Sequence, residues 1–286
     1  MKENKIGVCD FSFPCGGLVG VKMAGLSGFE GLQIADQSAL NQGFPLLNPI
    51  VRDMYLETAA KYNLVFQGLN LYALCFSNTM GSPLNSSTGE MIKDYIRKSA
   101  ETCKLMQIGT VMMNVNNIHF VSKPSIQIME NIKETLKFAN ECFKDVGTTL
   151  SIETCIPAKM FHEIREEIGD NLKMCLDIAN PVFHGIGNPP DLIREYGLDA
   201  IDHFHIKDFK PGYFGYTTQN AEMCWPGEGA AKFDECVKVI KEGGFKGWYI
   251  SESIYTMPNF YDSKNGLDPI ASGRKDAEIM RKAFLS

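Results

Sequence analysis

The stretch LKMCLDIANPVFHG, Leu172 to Gly185, decides the fold reading. Its core, KMCLDI (173–178), is a short apolar run that carries an aspartate close to its end. Such a run lacks the polar alternation of a half-exposed strand and suits a strand covered on both faces. Working outward, the same form recurs. Downstream lie AIDHFHI (200–206) and GWYISE (247–252); upstream lie TTLSIE (148–153), GTVMMNV (109–115), LVFQGLNLY (64–72), GLQIA (31–35) and IGVCDF (6–11).

Amphipathic segments separate these runs. IKDYIRKSAETCKLMQ (92–107) puts Ile92, Tyr95, Ile96, Ala100 and Cys103 on one helical face. SIQIMENIKETLKFANECF (125–143) and KFDECVKVIKEGG (232–244) behave alike, and Gly243-Gly244 stops the latter. Eight strands alternating with helices give an α/β chain, a (β/α)8 TIM barrel, as one domain over 1–286. The competing fold is a doubly wound open sheet. It calls for a glycine-rich phosphate turn after the first strand, and Cys15-Gly16-Gly17 lacks the G-x-G-x-x-G spacing.

Composition narrows the function. Hydrophobic residues make up 44% and charged residues 22%, with net charge −6. No basic run supplies a footprint for nucleic acid. No run of about eighteen apolar residues suggests a membrane span, and MKENKIGVCDFSFPCGG lacks the apolar core of a signal peptide. The nine cysteines (Cys9, Cys15, Cys75, Cys103, Cys142, Cys155, Cys175, Cys224 and Cys236) are scattered without a CxxC pair. A reducing, cytoplasmic setting without structural disulfides is expected.

In a barrel of this kind, chemistry sits at the C-terminal ends of the strands. Four consecutive runs carry Glu153, Asp177, His205 and Glu252 there, spaced 24, 28 and 47 residues apart. Three carboxylates and an imidazole suit one divalent ion, Mn2+ first, with Mg2+, Co2+ and Zn2+ also compatible. Buried carboxylates that close would repel one another without a cation. The bland alternative is four separately solvated or ion-paired residues.

Three segments carry a resemblance: LKMCLDIANPVFHG, NPPDLIREYGLDAIDHFHIKDF (188–209) and WPGEGAAKFDECVKVIKEGGFKGWYISES (225–253), with SIET (151–154) beside them. The chain resembles the sugar phosphate isomerase/epimerase superfamily, the xylose-isomerase-like barrels. The resemblance covers the C-terminal half well and the N-terminal half only in pattern. It implies that Glu153, Asp177, His205 and Glu252 bind the metal and that Glu153 and Glu252 double as the acid/base pair. The implied activity is isomerisation or epimerisation of a monosaccharide or sugar derivative by proton abstraction and a metal-stabilised enediolate.

Elimination from the same site, as in an inosose-type dehydratase or a deglycosidase acting on an oxidised C-glycoside, is the alternative reading. A non-catalytic sugar-binding protein is a third. A DNA-repair endonuclease of this fold would need more histidines than five and a basic groove. The expected partner is a small carbohydrate, with no nucleic acid and no membrane; a homo-oligomer or a hetero-subunit partner stays open.

Further residues are candidates for the site. His119 follows the fourth strand as an extra base or substrate contact, or is a surface loop histidine. Asn180 stands where ketose epimerases usually carry a substrate-binding His; an amide binds a hydroxyl but does not shuttle protons at neutral pH. Pro211 stands where they tend to carry an Arg. Lys207 touches substrate or pairs with Asp208. His203 is expected on the face opposite His205, packed or capped, and His162 and His184 have no assigned partner. Phe11, Phe13, Tyr72 and Phe76 form an apolar wall or ordinary packing. The loop 210–216 is a cover, a stacking surface or an oligomer contact. Pro226 to Gly229 reads as a tight turn whose use for phosphate lacks clustered Lys or Arg.

Overall fold

Strands form where apolar residues follow one another without a helical period, and the structure places them within two residues of the expected ends. The computed structural model describes residues 3–36, 44–75, 78–115, 125–154, 156–210, 222–257, 260 and 266–286. Its strands are β1 (Lys5–Cys9), β2 (Gly31–Ala35), β3 (Val65–Asn70), β4 (Thr110–Asn114), β5 (Thr149–Glu153), β6 (Leu172–Asp177), β7 (Ile201–Ile206), β8 (Asp208–Phe209), β9 (Met223–Cys224) and β10 (Trp248–Ser251). Eight of them close into a barrel in the order β1-β10-β7-β6-β5-β4-β3-β2, while β8 and β9 form a separate antiparallel pair. This is the single (β/α)8 barrel that the alternation of strands and helices calls for.

By packing, the chain forms two compact units. The first comprises Met1–Ile34, Glu57–Val65 and Leu176–Ser286. In it β1 pairs in parallel with β2 and with β10, and β10 pairs with β7, setting Ile250 opposite His205. Gly31 has no side chain because one would run into the Trp248 ring, over which Lys5 Nζ sits at 5.7 Å from the centroid. The helix Pro269–Phe284 is capped by Asp268, whose side chain accepts from Ala271 N. Its Phe284 stacks on Tyr249 with centroids 3.8 Å apart.

The second unit comprises Ala35–Leu56 and Phe66–Cys175. Here β3 pairs with β4, β4 with β5 and β5 with β6, so that Glu153 stands opposite Asn114 on one side and Cys175 on the other. The helices Ser87–Met106 and Ile126–Asp145 begin at Ser86 and Ser125, whose side chains accept from backbone N–H groups three residues on. Ile92, Tyr95, Ile96, Ala100 and Cys103 are buried, as their spacing requires. The second helix buries Ile132, Leu136 and Phe143, each worth roughly 2 kcal/mol of apolar burial.

Candidate metal centre

Asp177 is the last residue of β6, His205 the last but one of β7, and Glu252 the first after β10. Backbone bonds carry the ladder past the strand ends. Glu252 N donates to Ile206 O at 3.0 Å, and Ile178 N donates to His205 O at 3.2 Å. One Asp177 oxygen, Oδ1, accepts from Ala179 N and Asn180 N, both at 2.7 Å. The turn after β6 thus holds the carboxylate with Oδ2 toward its neighbours.

Asp177, His205 and Glu252 each offer one ligand atom, and these atoms lie within 4.8 Å of one another. Nδ1 of His205 is 3.2 Å from Oε2 of Glu252. Lys207 Nζ donates to Glu252 Oε2 at 2.6 Å and lies 2.8 Å from Asp177 Oδ2. On its other edge, His205 Nε2 is 3.0 Å from the amide oxygen of Gln33. That oxygen only accepts, so Nε2 carries a hydrogen, and in the neutral ring the lone pair is on Nδ1. In that form an imidazole lone pair faces the Glu252 carboxylate.

This donor set fits a divalent cation. One ammonium meets two carboxylates, leaving the group anionic, and Asp177 is only 3% exposed. Burial pushes the Asp177 carboxyl up from the ordinary carboxylate range; Lys207 pulls it down and Glu252 pushes it up again. A dication among these oxygens and the Nδ1 lone pair would offset the repulsion and the lost hydration together.

The other sequence candidates fall as follows. Glu153 ends β5, is 5% exposed, and accepts from Asn114 Nδ2 at 2.7 Å through Oε2. Asn180 opens the short helix Asn180–Phe183 directly after Asp177. Lys207 turns to Asp177 and Glu252, while Asp208 turns away. The Asp208 carboxylate accepts backbone N–H bonds from Phe209, Gly227, Gly229 and Ala231 at 2.9–3.1 Å. Burial pushes that carboxyl up, and the four amides draw it back. The tight turn at Pro226 therefore spends two of its amides on Asp208. His119, Pro211, Phe76 and positions 211–216 of the aromatic loop lie outside the described residues.

His203 corrects the sequence reading. Residues two apart on a strand share a face, so His203 and His205 point the same way, with ring centroids 5.3 Å apart. Both touch Gln33, whose Nε2 is 3.1 Å from His203 Nε2. Gln33 escaped the sequence reading, as did Asn114 and Asp202. The signal for Gln33 was its place as the lone amide inside the apolar run GLQIA.

Phe13 is buried and packs on Tyr255 at 5.1 Å between centroids, whereas Tyr72 is exposed. Of the two, Phe13 is packing. The thiols of Cys103, Cys224 and Cys236 are pushed up to about 12 by burial, which makes them poor nucleophiles. Among the described residues no helix is long and apolar enough to cross a membrane.

A closed parallel barrel with carboxylates and an imidazole at successive strand ends defines the class of protein. Residues 21–282 match the family described as xylose isomerase-like TIM barrel, and the chain belongs to it. It is 25% identical over 204 residues to an inosose isomerase of Halalkalibacterium halodurans, covering 68% of each chain. It is 22% identical over 201 residues to an L-ribulose-5-phosphate 3-epimerase of Escherichia coli, covering 66% of each. Among solved structures it resembles the IOLI protein with a binding zinc atom, at TM-score 0.70 and 18% identity over 99% of this chain and 100% of that one.

Proposed function

We propose that this chain is a divalent-metal-dependent isomerase or epimerase of a polyhydroxy ketone, with Glu153, Asp177, His205 and Glu252 as ligands. The observation that carries the reading is the meeting of Asp177, His205 and Glu252, with Nδ1 of His205 3.2 Å from a carboxylate oxygen. Glu153 joins them on the strength of register. It ends β5 opposite Cys175, two residues before Asp177 on β6. The likeness to an inosose isomerase and a ribulose-phosphate epimerase supports a sugar or cyclitol ketone as substrate. Mn2+ is the proposed ion.

A bound ion would polarise a carbonyl together with the neighbouring hydroxyl and acidify the C–H of the hydroxyl-bearing carbon. Glu153 and Glu252 then take and return the proton. Asn114 holds one Glu153 oxygen and Lys207 one Glu252 oxygen, so each carboxylate keeps an oriented second oxygen for proton transfer. Lys207 and Asn180 supply donors for substrate hydroxyls, and His119 is kept as a further contact or base. Elimination from the next carbon is the second reading. It is favoured by Asn180, an amide beside Asp177 that does not move protons.

The test is exchange in D2O. The Mn2+-loaded protein is incubated with inosose, L-ribulose 5-phosphate and a panel of free ketoses and oxo-glycosides. Metal-dependent deuterium at the carbon beside a carbonyl, with or without loss of a leaving group, is the expected result. No exchange in any substrate contradicts the reading.

A further inference from the structure

We propose that Asp202, acting through His203 and Gln33, sets which nitrogen of His205 carries hydrogen and thereby presents Nδ1 as a ligand lone pair. The proposal rests on the metal reading above and assigns positioning roles to three residues outside the ligand set.

The chain of contacts runs in one direction. Asp202 Oδ2 is 2.8 Å from Nδ1 of His203. A carboxylate only accepts, so neutral His203 holds its hydrogen on Nδ1 and offers a lone pair at Nε2. Gln33 Nε2, 3.1 Å away, donates to that lone pair. The amide is then fixed with its oxygen on the far side, 3.0 Å from His205 Nε2. Cys9 Sγ donates to the same oxygen at 3.4 Å, which agrees with this orientation. Neutral His205 therefore holds its hydrogen on Nε2, and Nδ1 faces Glu252 and the ligand cluster.

The opposite amide orientation has a definite consequence. The Gln33 oxygen would face Nε2 of His203, which would need hydrogen on both nitrogens to satisfy Asp202 as well. The Gln33 NH2 group would face His205, whose hydrogen would move to Nδ1 and close that atom to a metal. The relay thus has two polarities, and the carboxylate of Asp202 selects one. Gln33, His203 and His205 are at most 1% exposed, which leaves solvent little part in the choice. Partners of a ligating imidazole fix its tautomer in this way generally; here the selecting group stands three side chains from the ligand.

The experiment uses metal-free protein labelled with 15N at histidine, read by long-range 1H–15N correlation at about pH 8, where free imidazole is neutral. The wild type is expected to show protonated-type signals for Nε2 of His205 and Nδ1 of His203. Gln33→Met is expected to give a mixed His205 tautomer and Zn2+ binding weaker by about 10–100-fold. Asp202→Ala should shift both histidine patterns and weaken Zn2+ about tenfold, whereas Asp202→Asn, which keeps an acceptor oxygen, should restore both. The Asp202 pair decides the matter if Gln33→Met does not fold. Hydrogen on Nδ1 of His205 in the metal-free wild type overturns the proposal. So does an unchanged His205 signal and Zn2+ affinity in Asp202→Ala. Failure of the wild type to bind Zn2+ overturns the metal reading instead, because the tautomers are read without metal.

Discussion

Lys207 Nζ lies 2.6 Å from Oε2 of Glu252 and 2.8 Å from Oδ2 of Asp177, so one ammonium joins two carboxylates from different strand ends. Their side chains are 15% and 2% exposed. Lys207→Met keeps the stem and removes the charge, leaving both carboxylates uncompensated. It is expected to cost the metal-free protein about 3 kcal/mol, with saturating Mn2+ restoring most of the loss. Thermal denaturation with and without Mn2+ measures this, and an equal loss in both conditions contradicts it.

Glu153→Gln and Glu252→Gln preserve shape and remove the proton-accepting charge. Each is expected to cut turnover by about 10²–10⁴-fold with the far-UV circular dichroism unchanged. Near-normal turnover in either variant removes that residue from the acid/base pair.

Much of this was legible because barrel strands are covered on both faces and read as unbroken apolar runs. A polar or charged residue at the end of such a run stands out, as Glu153, Asp177, His205 and Glu252 do. Side-chain direction was harder. Lys207 shares strand parity with His205 and turns toward Glu252, while its sequence neighbour Asp208 turns the other way to the 227–231 turn. The same parity rule, misapplied, sent His203 to the wrong face. Gln33 stood out only as a lone amide in the apolar run GLQIA; its partners His203 and His205 lie 170 and 172 positions away, and no local pattern names them.

Asp276 predicts a pH dependence of stability. It is fully buried, and its Oδ2 accepts from Tyr255 OH at 3.0 Å and Ser251 Oγ at 2.5 Å. Burial pushes the carboxyl up to about 6, against the lowering effect of these hydrogen bonds. The folded protein thus holds this proton more tightly than the unfolded chain, whose carboxyl titrates near 3.9. The contribution is fully present below about pH 4 and is lost as pH rises through about 6, on the order of 3 kcal/mol in all. Asp276→Asn should remove this decline. Urea unfolding of both proteins at about pH 4.5 and pH 7.5 tests it; parallel changes in the two proteins would count against the assignment.

Asp208 anchors the turn before the helix Phe233–Glu242 through four backbone amides. Asp208→Ala leaves those amides without their acceptor and is expected to cost about 2–3 kcal/mol. Gly229→Ala would drive a methyl group into the Asp208 carboxylate and the Phe209 carbonyl, and should destabilise at least as much. Urea midpoints within error of wild type for both variants would contradict this role.

Asp177, His205 and Glu252, joined by Glu153, are proposed to bind one divalent ion. Metal content after repletion with Mn2+ and gel filtration, measured by mass spectrometry, tests it most directly. About one equivalent is expected in the wild type, with a large loss in Asp177→Ala and His205→Ala, both still folded. Less than about a tenth of an equivalent in the wild type, or full loading in both variants, contradicts it.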